Sequence, residues 1–480
     1  MPRFHSRRIS DPVHGTFGLS QLESDIISTG AFQRLHNVKQ LGLAHLVYPG
    51  ADYSRFSHSL GACHLAGRMV RAIQQNCQHQ EISDDDIQLY RLAGLLHDLG
   101  HYPFSHATEQ IIADHYKASA FLEGGNPPND DQASYDHETL GRAIIDNDDE
   151  LGRVLAKHKF SKADIKSLFS RERPEFFTNV VSSDLDCDRL DYLVRTARAT
   201  GLPYGVVDVE YITSQMCIDA DKHLCLTAKA MRAADHLLVS RHYDYTQVVY
   251  HKTVVGLELV LKAVLREMLR AKLLDCSGGF IKSEISSGNF RKYDDHFIIG
   301  KIRDFRAKLD PKKDATTIIK VDALLNRVPP KLLVSYERLD QRDDANEREQ
   351  PEHRNKERDI REHIPKWAAQ FGIDEGLWYL WSKSPVFSKI GSHVNVGEDP
   401  STFEEEKEQA IRVLIGNPTD KDAKSRLLVK CESALMSKLA DLRLYYLRLF
   451  VHLPPGDDGK ALEAKIVAQI KNDLPDFPFA

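Results

Sequence analysis

Apolar residues recur three and four apart along much of this chain, the spacing that lines one face of an α-helix. Leu60, Cys63, Ala66, Met69, Val70 and Ile73 predict a helix over 58–78. Ser83, Asp84, Asp85 and Asp86 form a capping region for a second helix over 87–99, continued by Leu89, Leu92, Ala93, Leu95 and Leu96. Further helices are predicted over 135–145 and 179–198. The stretch 231–270 reads as one long helix, or as two joined near Gly256. Leu435 to Val451 reads as an amphipathic helix with Tyr445, Tyr446 and Phe450 packing a core or a subunit contact. Glu404, Glu405 and Glu406 open a helix over 407–415. Strand signals are few, over 17–19 and 394–396. Gly124 to Asp131 is a loop, and 340–362 is a solvated helix or disordered linker, because it is dense in charge and nearly free of apolar residues. No internal repeat is visible. The class this predicts is mainly α.

Composition changes that picture little. The 480 residues are 42% hydrophobic and 28% charged with a net charge of −6, which singles out neither nucleic acid nor a membrane surface as a partner. The first ten residues are basic and lack an apolar segment, so they do not read as a signal peptide, and no stretch is long and apolar enough to span a bilayer. The seven cysteines are scattered without a Cys-x-x-Cys pair and read as reduced thiols of a cytoplasmic protein. Cys187 could act as a soft metal ligand, but reads better as a small buried side chain.

The chemistry concentrates in Leu95-Leu96-His97-Asp98-Leu99-Gly100-His101-Tyr102-Pro103-Phe104-Ser105-His106. Imidazoles beside a carboxylate suit a divalent metal that activates water. The adjacent ligands His97 and Asp98 can meet one ion only where the helix ends or bends, and Gly100 and Pro103 are the candidate breakers. Further ligands must come from elsewhere: His58, in Arg55-Phe56-Ser57-His58-Ser59-Leu60-Gly61, and one of Asp184, Asp186, Asp188 or Asp191. His106 and Glu109 are three apart, so on a helix they share a face and can pair as an imidazole with its orienting carboxylate.

The order His, His-Asp, Asp resembles the ligand series of the HD-domain metal-dependent phosphohydrolases. Asp11-Pro12-Val13-His14-Gly15, Phe32-Gln33-Arg34-Leu35, Lys39-Gln40-Leu41-Gly42, the two His-bearing runs above and Asp188-Arg189-Leu190-Asp191-Tyr192 are similar to the branch of deoxynucleoside triphosphate triphosphohydrolases. These motifs lie in unbroken order over residues 9–252. The resemblance implies an HD-type helical bundle over 1–260 and a mixed, mostly helical region over 261–480, with a charged linker at 339–363. It implies one divalent ion (Mn, Mg, Fe, Co, Ni or Zn) held by His58, His97, Asp98 and Asp188. It also implies His106 with Glu109 as the acid or nucleophile-orienting pair, and His101 and His137 as phosphate-contacting partners. Arg55 would meet the α-phosphate and Arg189 the polyphosphate, while Tyr192 would pack under the sugar. Gln40, Arg241, Tyr250 and Lys252 complete the implied substrate contacts. The implied reaction is hydrolysis to deoxynucleoside and tripolyphosphate by attack of water at the α-phosphorus. Homo-oligomers, dimeric or tetrameric, are implied as well, with residues 11–42 and the C-terminal helices as contacts.

Three departures from that pattern stand out. Thr196 stands where the branch often has an aspartate on the sugar 3′-hydroxyl. Val249 stands at the position of a tyrosine, with Tyr250 displaced by one. Gln33 of a possible nucleotide effector site is present, but Ser28 replaces its aspartate and His36 its arginine. These departures leave two rival readings: a nucleotidase or phosphodiesterase acting on a nucleoside monophosphate or a cyclic or linear phosphodiester, and an HD module that senses nucleotides without turning them over.

Overall fold

The computed structural model describes residues 7–122, 135–170, 178–341, 351–387, 409–475 and 477. Its centre is a pair of antiparallel-packed helices whose formation is local. Ser83 Oγ accepts the Asp86 amide at 3.1 Å and the Asp86 carboxylate accepts the Ser83 amide at 2.8 Å, a reciprocal cap that starts the helix Asp84–Leu96. From Ile87 to Leu96 every residue of this helix is buried. It packs on the helix Arg55–Asn76, itself buried along most of its length. Gly94 lets the two backbones approach, since a Cβ there would lie 2.9 Å from the Ala62 carbonyl oxygen.

Around this pair stand His106–Leu122, His137–Asn147, Cys187–Thr200, Met231–Asp244 and Lys252–Arg270. The expected helix over 179–198 is two elements. A short turn Thr178–Val180 comes first, then Cys187–Thr200 begins at its own cap, Asp186, whose Oδ1 accepts the Arg189 amide at 2.7 Å. The expected 231–270 helix is broken, not at Gly256 but by a π turn over Tyr245–Val249. Gly256 lies inside the second helix, where Pro330 would meet its Cβ at 3.2 Å.

The largest correction falls in the C-terminal region. Residues 442–451 are not helical; Leu442–Val451 is the central strand of a sheet, between Lys331–Gln341 and Trp378–Lys383, antiparallel to both. Leu447, Leu449 and Val451 enter a second core with Ile360, Trp367 and Ile466, whereas Phe450 enters the first. A strand buried on both faces carries apolar residues at nearly every position, so its period of two is hidden and a helical spacing is found by accident. Tyr445, Tyr446 and Phe450 are buried, as their packing role requires. Arg412–Ile415 is likewise a strand rather than the end of a helix, paired with Lys424–Leu427.

The strand expected at 17–19 is the end of Gly15–Leu19, in a hairpin with Arg7–Asp11. In the charged stretch, Asp340 and Gln341 finish a strand, and the residues from 351 onward belong to the helix Pro351–Phe371, whose Ile360 is buried. The loop at 124–131, the strand signal at 394–396 and the glutamates at 404–406 lie outside the described residues. Position 260, where the first region was expected to end, falls inside the helix Lys252–Arg270, and the first core runs from Phe17 to Phe450. All seven cysteines are free thiols, and Cys187 is buried with its thiol pushed up by burial. Among the described residues no helix is long and apolar enough to cross a membrane.

Candidate metal centre and nucleotide cavity

The helix Asp84–Leu96 stops one residue before the His97-Asp98 pair, so both side chains leave a turn rather than a helical surface. Gly100 has a different task from the one expected. A Cβ there would lie 2.1 Å from the His137 carbonyl oxygen and 2.2 Å from the Gly141 nitrogen, so its absence lets the helix His137–Asn147 close onto the site. Two consecutive non-glycine residues, Phe104 and Ser105, then adopt φ of 56°, a left-handed conformation that side chains disfavour. Asp295 secures this turn: its two oxygens accept the Phe104 amide at 2.8 Å and the Lys39 amide at 3.1 Å. The turn ends at His106, the first residue of its helix.

Four expected ligands converge. His58 Nε2 lies 3.0 Å from Asp188 Oδ1 and 3.5 Å from Asp98 Oδ2. His97 Nε2 lies 3.3 Å from Asp98 Oδ1 and 3.7 Å from Asp188 Oδ1. The two imidazole Nε2 atoms are 3.3 Å apart. Each ring is held from behind: His58 Nδ1 donates to Asp191 Oδ2 at 2.7 Å, and His97 Nδ1 donates to the Gly94 carbonyl at 2.8 Å. Fixing Nδ1–H outward leaves Nε2 for a cation, the arrangement typical of metal-binding histidines. Burial alone would depress the His58 pKa, but Asp188, Asp191 and Asp98 outweigh it and push it up to about 10. This cluster of acceptors demands a positive charge, and the donor set fits a divalent ion of the N/O-ligand class.

Among the candidate aspartates, geometry separates the roles. Asp188 faces both histidines, Asp186 caps its helix and binds Arg189 Nη1 at 2.7 Å, and Asp184 binds Arg241 Nη1 at 3.0 Å. Asp191, the fourth candidate, is instead the brace of His58. Its oxygens also accept His14 Nε2 at 2.6 Å and Arg195 Nε and Nη2, both at 2.8 Å, and Arg195 reaches Asp11 at 2.9 Å. Asp11 and His14 of the N-terminal hairpin thus support the brace of His58. Gly61 makes room for this network, since a Cβ there would fall 1.8 Å from Asp191 Oδ1.

Beside the ligands, Glu109 joins two imidazoles. It accepts His106 Nδ1 at 3.1 Å, His137 Nδ1 at 3.0 Å and the His137 amide at 3.0 Å. Burial would raise its pKa, but these bonds hold it well below the usual carboxylate range. His101 stacks on His137 at 4.2 Å, and its Nε2 meets Asp98 Oδ1 at 3.1 Å. Burial and the nearby Arg55 hold its pKa well down. Among the described residues His101 Nδ1 is buried with no hydrogen-bond partner. His106 is the exposed member, at 71% of its side chain.

These groups open onto a cavity of about 590 Å³. Gln40, Arg55, Arg189, Tyr192, Arg241 and Tyr250 line it, as expected, together with His97, Asp98, His101, His106, His137 and Asp188. Arg55 is anchored by Asp98 at 2.5 Å and by Ser105 Oγ at 3.0 Å. Lys252 is not part of it; that side chain is exposed at the start of its helix. His58 and Glu109 stand behind the wall. The displacement of Tyr250 is absorbed by the π turn before it, which holds one residue more than an α turn, and Val249 and Tyr250 both face the cavity. The Tyr250 ring packs edge-on against Trp381 at 5.2 Å, and its carbonyl accepts Arg448 Nη1. Thr196 does not line the cavity: it is wholly buried and its hydroxyl is bonded to Tyr53 at 2.7 Å. At the effector positions, Ser28 Oγ donates to the Ser24 carbonyl, Gln33 Nε2 donates to the Ile27 carbonyl, and His36 stacks on Phe56.

Sequence reasoning missed Asp295, Trp381 and Lys383, which come from distant segments with no local signal. Asp11, His14 and Asp191 were within reach, because they sit in the motifs themselves.

Residues 55–195 match the HD domain family, and the chain carries an HD domain. It is 30% identical over 297 residues to the uncharacterized protein MJ1154 of Methanocaldococcus jannaschii, covering 61% of this chain and 57% of that protein. It is 30% identical over 268 residues to the bovine deoxynucleoside triphosphate triphosphohydrolase SAMHD1, covering 51% of this chain and 44% of that one. The chain thus spans about half the length of these relatives. The crystal structure of a phosphohydrolase from Bacteroides thetaiotaomicron shares the fold, with a TM-score of 0.66 at 23% identity, over 93% of this chain and all of that one.

Proposed function

We propose that this chain is a metal-dependent hydrolase that cuts deoxynucleoside triphosphates into deoxynucleoside and tripolyphosphate. The observation that carries the reading is the meeting of His58, His97, Asp98 and Asp188 at the head of a cavity with Arg55, Arg189 and Arg241 in its wall. A divalent ion bound by these four would offset phosphate charge and lower the pKa of a water from 15.7 towards about 7. The rest is work of the chain. Arg55, Arg189 and Arg241 present planar donors to phosphate oxygens. Their own aspartate partners hold them in place, so little reordering accompanies binding. Glu109 fixes the His106 ring with its Nδ1–H inward, leaving Nε2 to carry or release a proton at the leaving 5′-oxygen or the attacking water. His101 and His137 supply imidazole faces and nitrogens along the phosphate path. Tyr192, Val249 and Tyr250 give the apolar surface that a sugar and base require.

The similarity to a named triphosphohydrolase supports this substrate class. The test is product analysis by ion-exchange chromatography with Mg, Mn, Co or Ni. Tripolyphosphate and nucleoside are expected; orthophosphate from a monophosphate, or an opened cyclic diester, would replace this reading with a nucleotidase or phosphodiesterase. His58→Ala and Asp188→Ala are expected to abolish turnover and bound metal with the helical signal intact. Full activity in either would overturn the ligand set.

A further inference from the structure

Asp244 ends the helix Met231–Asp244 one turn after Arg241, and both line the cavity. The Asp244 side chain is 2% exposed. Its Oδ1 accepts the Tyr204 hydroxyl at 2.6 Å, and Tyr204 is fixed in turn, its carbonyl accepting Ser240 Oγ at 2.8 Å and its ring packed against Ala197, Val248 and Val254. Among the described residues the carboxyl has no other hydrogen-bond partner, which leaves Oδ2 to the cavity. Burial pushes this carboxyl up to about 7 despite Tyr204 and Arg241, and a carboxyl in so dry a wall gains from a donor that a ligand brings into the cavity. Three hydroxyls of this region are already committed: Tyr53 and Thr196 bond each other, and Tyr48 bonds the Gln247 carbonyl.

One helical turn therefore presents a guanidinium suited to phosphate oxygens and, about 4.5 Å further along the axis, a buried acceptor suited to an O–H donor. A sugar joined to phosphates carries both complements. We propose that Asp244 is the sugar-recognising residue of this cavity, its free carboxyl oxygen accepting a hydrogen bond from the 3′-hydroxyl of a bound deoxynucleotide. The proposal rests on the nucleotide reading above and adds a substrate contact made by this chain's own residue, while Thr196 stays out of reach.

The test compares a deoxynucleoside triphosphate with its 2′,3′-dideoxy counterpart on the full chain loaded with manganese. The wild type is expected to favour the deoxy substrate at least tenfold in kcat/KM. Asp244→Ala is expected to lose at least tenfold on the deoxy substrate and less than twofold on the dideoxy one; Asp244→Asn, which keeps an acceptor oxygen, retains part of the preference. An equal fall on both substrates would reduce Asp244 to a support for Tyr204 and overturn the proposal. If Asp244→Ala melts much earlier than the wild type, the Asn variant carries the comparison. If no triphosphate is turned over, the reaction proposed above falls, and this proposal is read by calorimetric titration of the same two nucleotides. Tighter binding of the deoxy form, lost in the variants, sustains it; equal affinities in the wild type overturn it.

Discussion

At the scale of single residues, the site depends on atoms that are absent as much as on those present. Gly61 exists so that Asp191 and Arg195 can approach the helix that carries His58. Gly61→Ala is expected to displace Asp191, free the His58 ring and weaken metal retention at least tenfold by equilibrium dialysis, in line with the loss usual for outer partners of metal ligands. Wild-type affinity in that variant would show that the brace is dispensable. His106 is the opposite case: exposed, outside the ligand set and held by one carboxylate. His106→Ala should lower kcat by about 10²–10⁴ while metal content stays at the wild-type level. A parallel loss of metal would instead place His106 among the ligands. The motifs made these side chains legible, since ligand types and spacings are local. The choice of Asp188 over its neighbours was left open by spacing alone and is made by which carboxylate faces His58 and His97.

At the scale of elements, a strained turn and a close helix contact place His106 and His137 beside Glu109. Asp295 holds the left-handed pair Phe104 and Ser105 by accepting two amides. Asparagine has only one acceptor oxygen, so Asp295→Asn leaves one amide facing an NH₂ group and should cost about 1–3 kcal/mol, read as a lower urea midpoint. Burial raises the Asp295 carboxyl to about 6, against an ordinary value of 3.8. The folded state therefore binds a proton that the unfolded chain releases, and the wild type gains stability from this group as pH falls from about 6 towards about 4. The asparagine variant lacks that gain, so the gap between the two should widen on acidification; a gap that narrows would contradict the assignment. Gly100→Ala acts at the neighbouring contact. By pushing away the helix His137–Asn147 it should separate His137 from Glu109 and cut kcat more than KM, and unchanged kinetics would refute that coupling. Helices of this part were legible because one face is buried and the other is not. The break at the π turn was not, since nothing in Tyr245 to Val249 differs locally from a helix.

At the scale of the whole molecule, the C-terminal sheet reaches the cavity. Arg448 of the central strand donates to the Tyr250 carbonyl, pairs with Glu337 at 2.6 Å and lies over the Trp381 ring at 5.3 Å. Arg448→Ala is therefore expected to loosen the Tyr250 wall and raise KM several-fold with bound metal unchanged. Equal KM values would separate the sheet from substrate binding. The first core brings together apolar residues from Phe17 to Phe450. Removing the metal with a chelator should abolish hydrolysis yet leave the helical circular-dichroism signal in place; global unfolding would mean that the ion holds the fold together.

By itself the sequence determined which side chains to look for at the candidate site and which segments coil into helices around them, because both are written in short-range spacing. Tertiary structure alone decided that 442–451 is a strand, that Asp295 steadies the turn before His106, and that Asp244 rather than Thr196 faces the cavity. A strand covered on both faces has no polar phase to reveal it, and a hydrogen bond joining residues far apart in the chain leaves no mark on the sequence near either one.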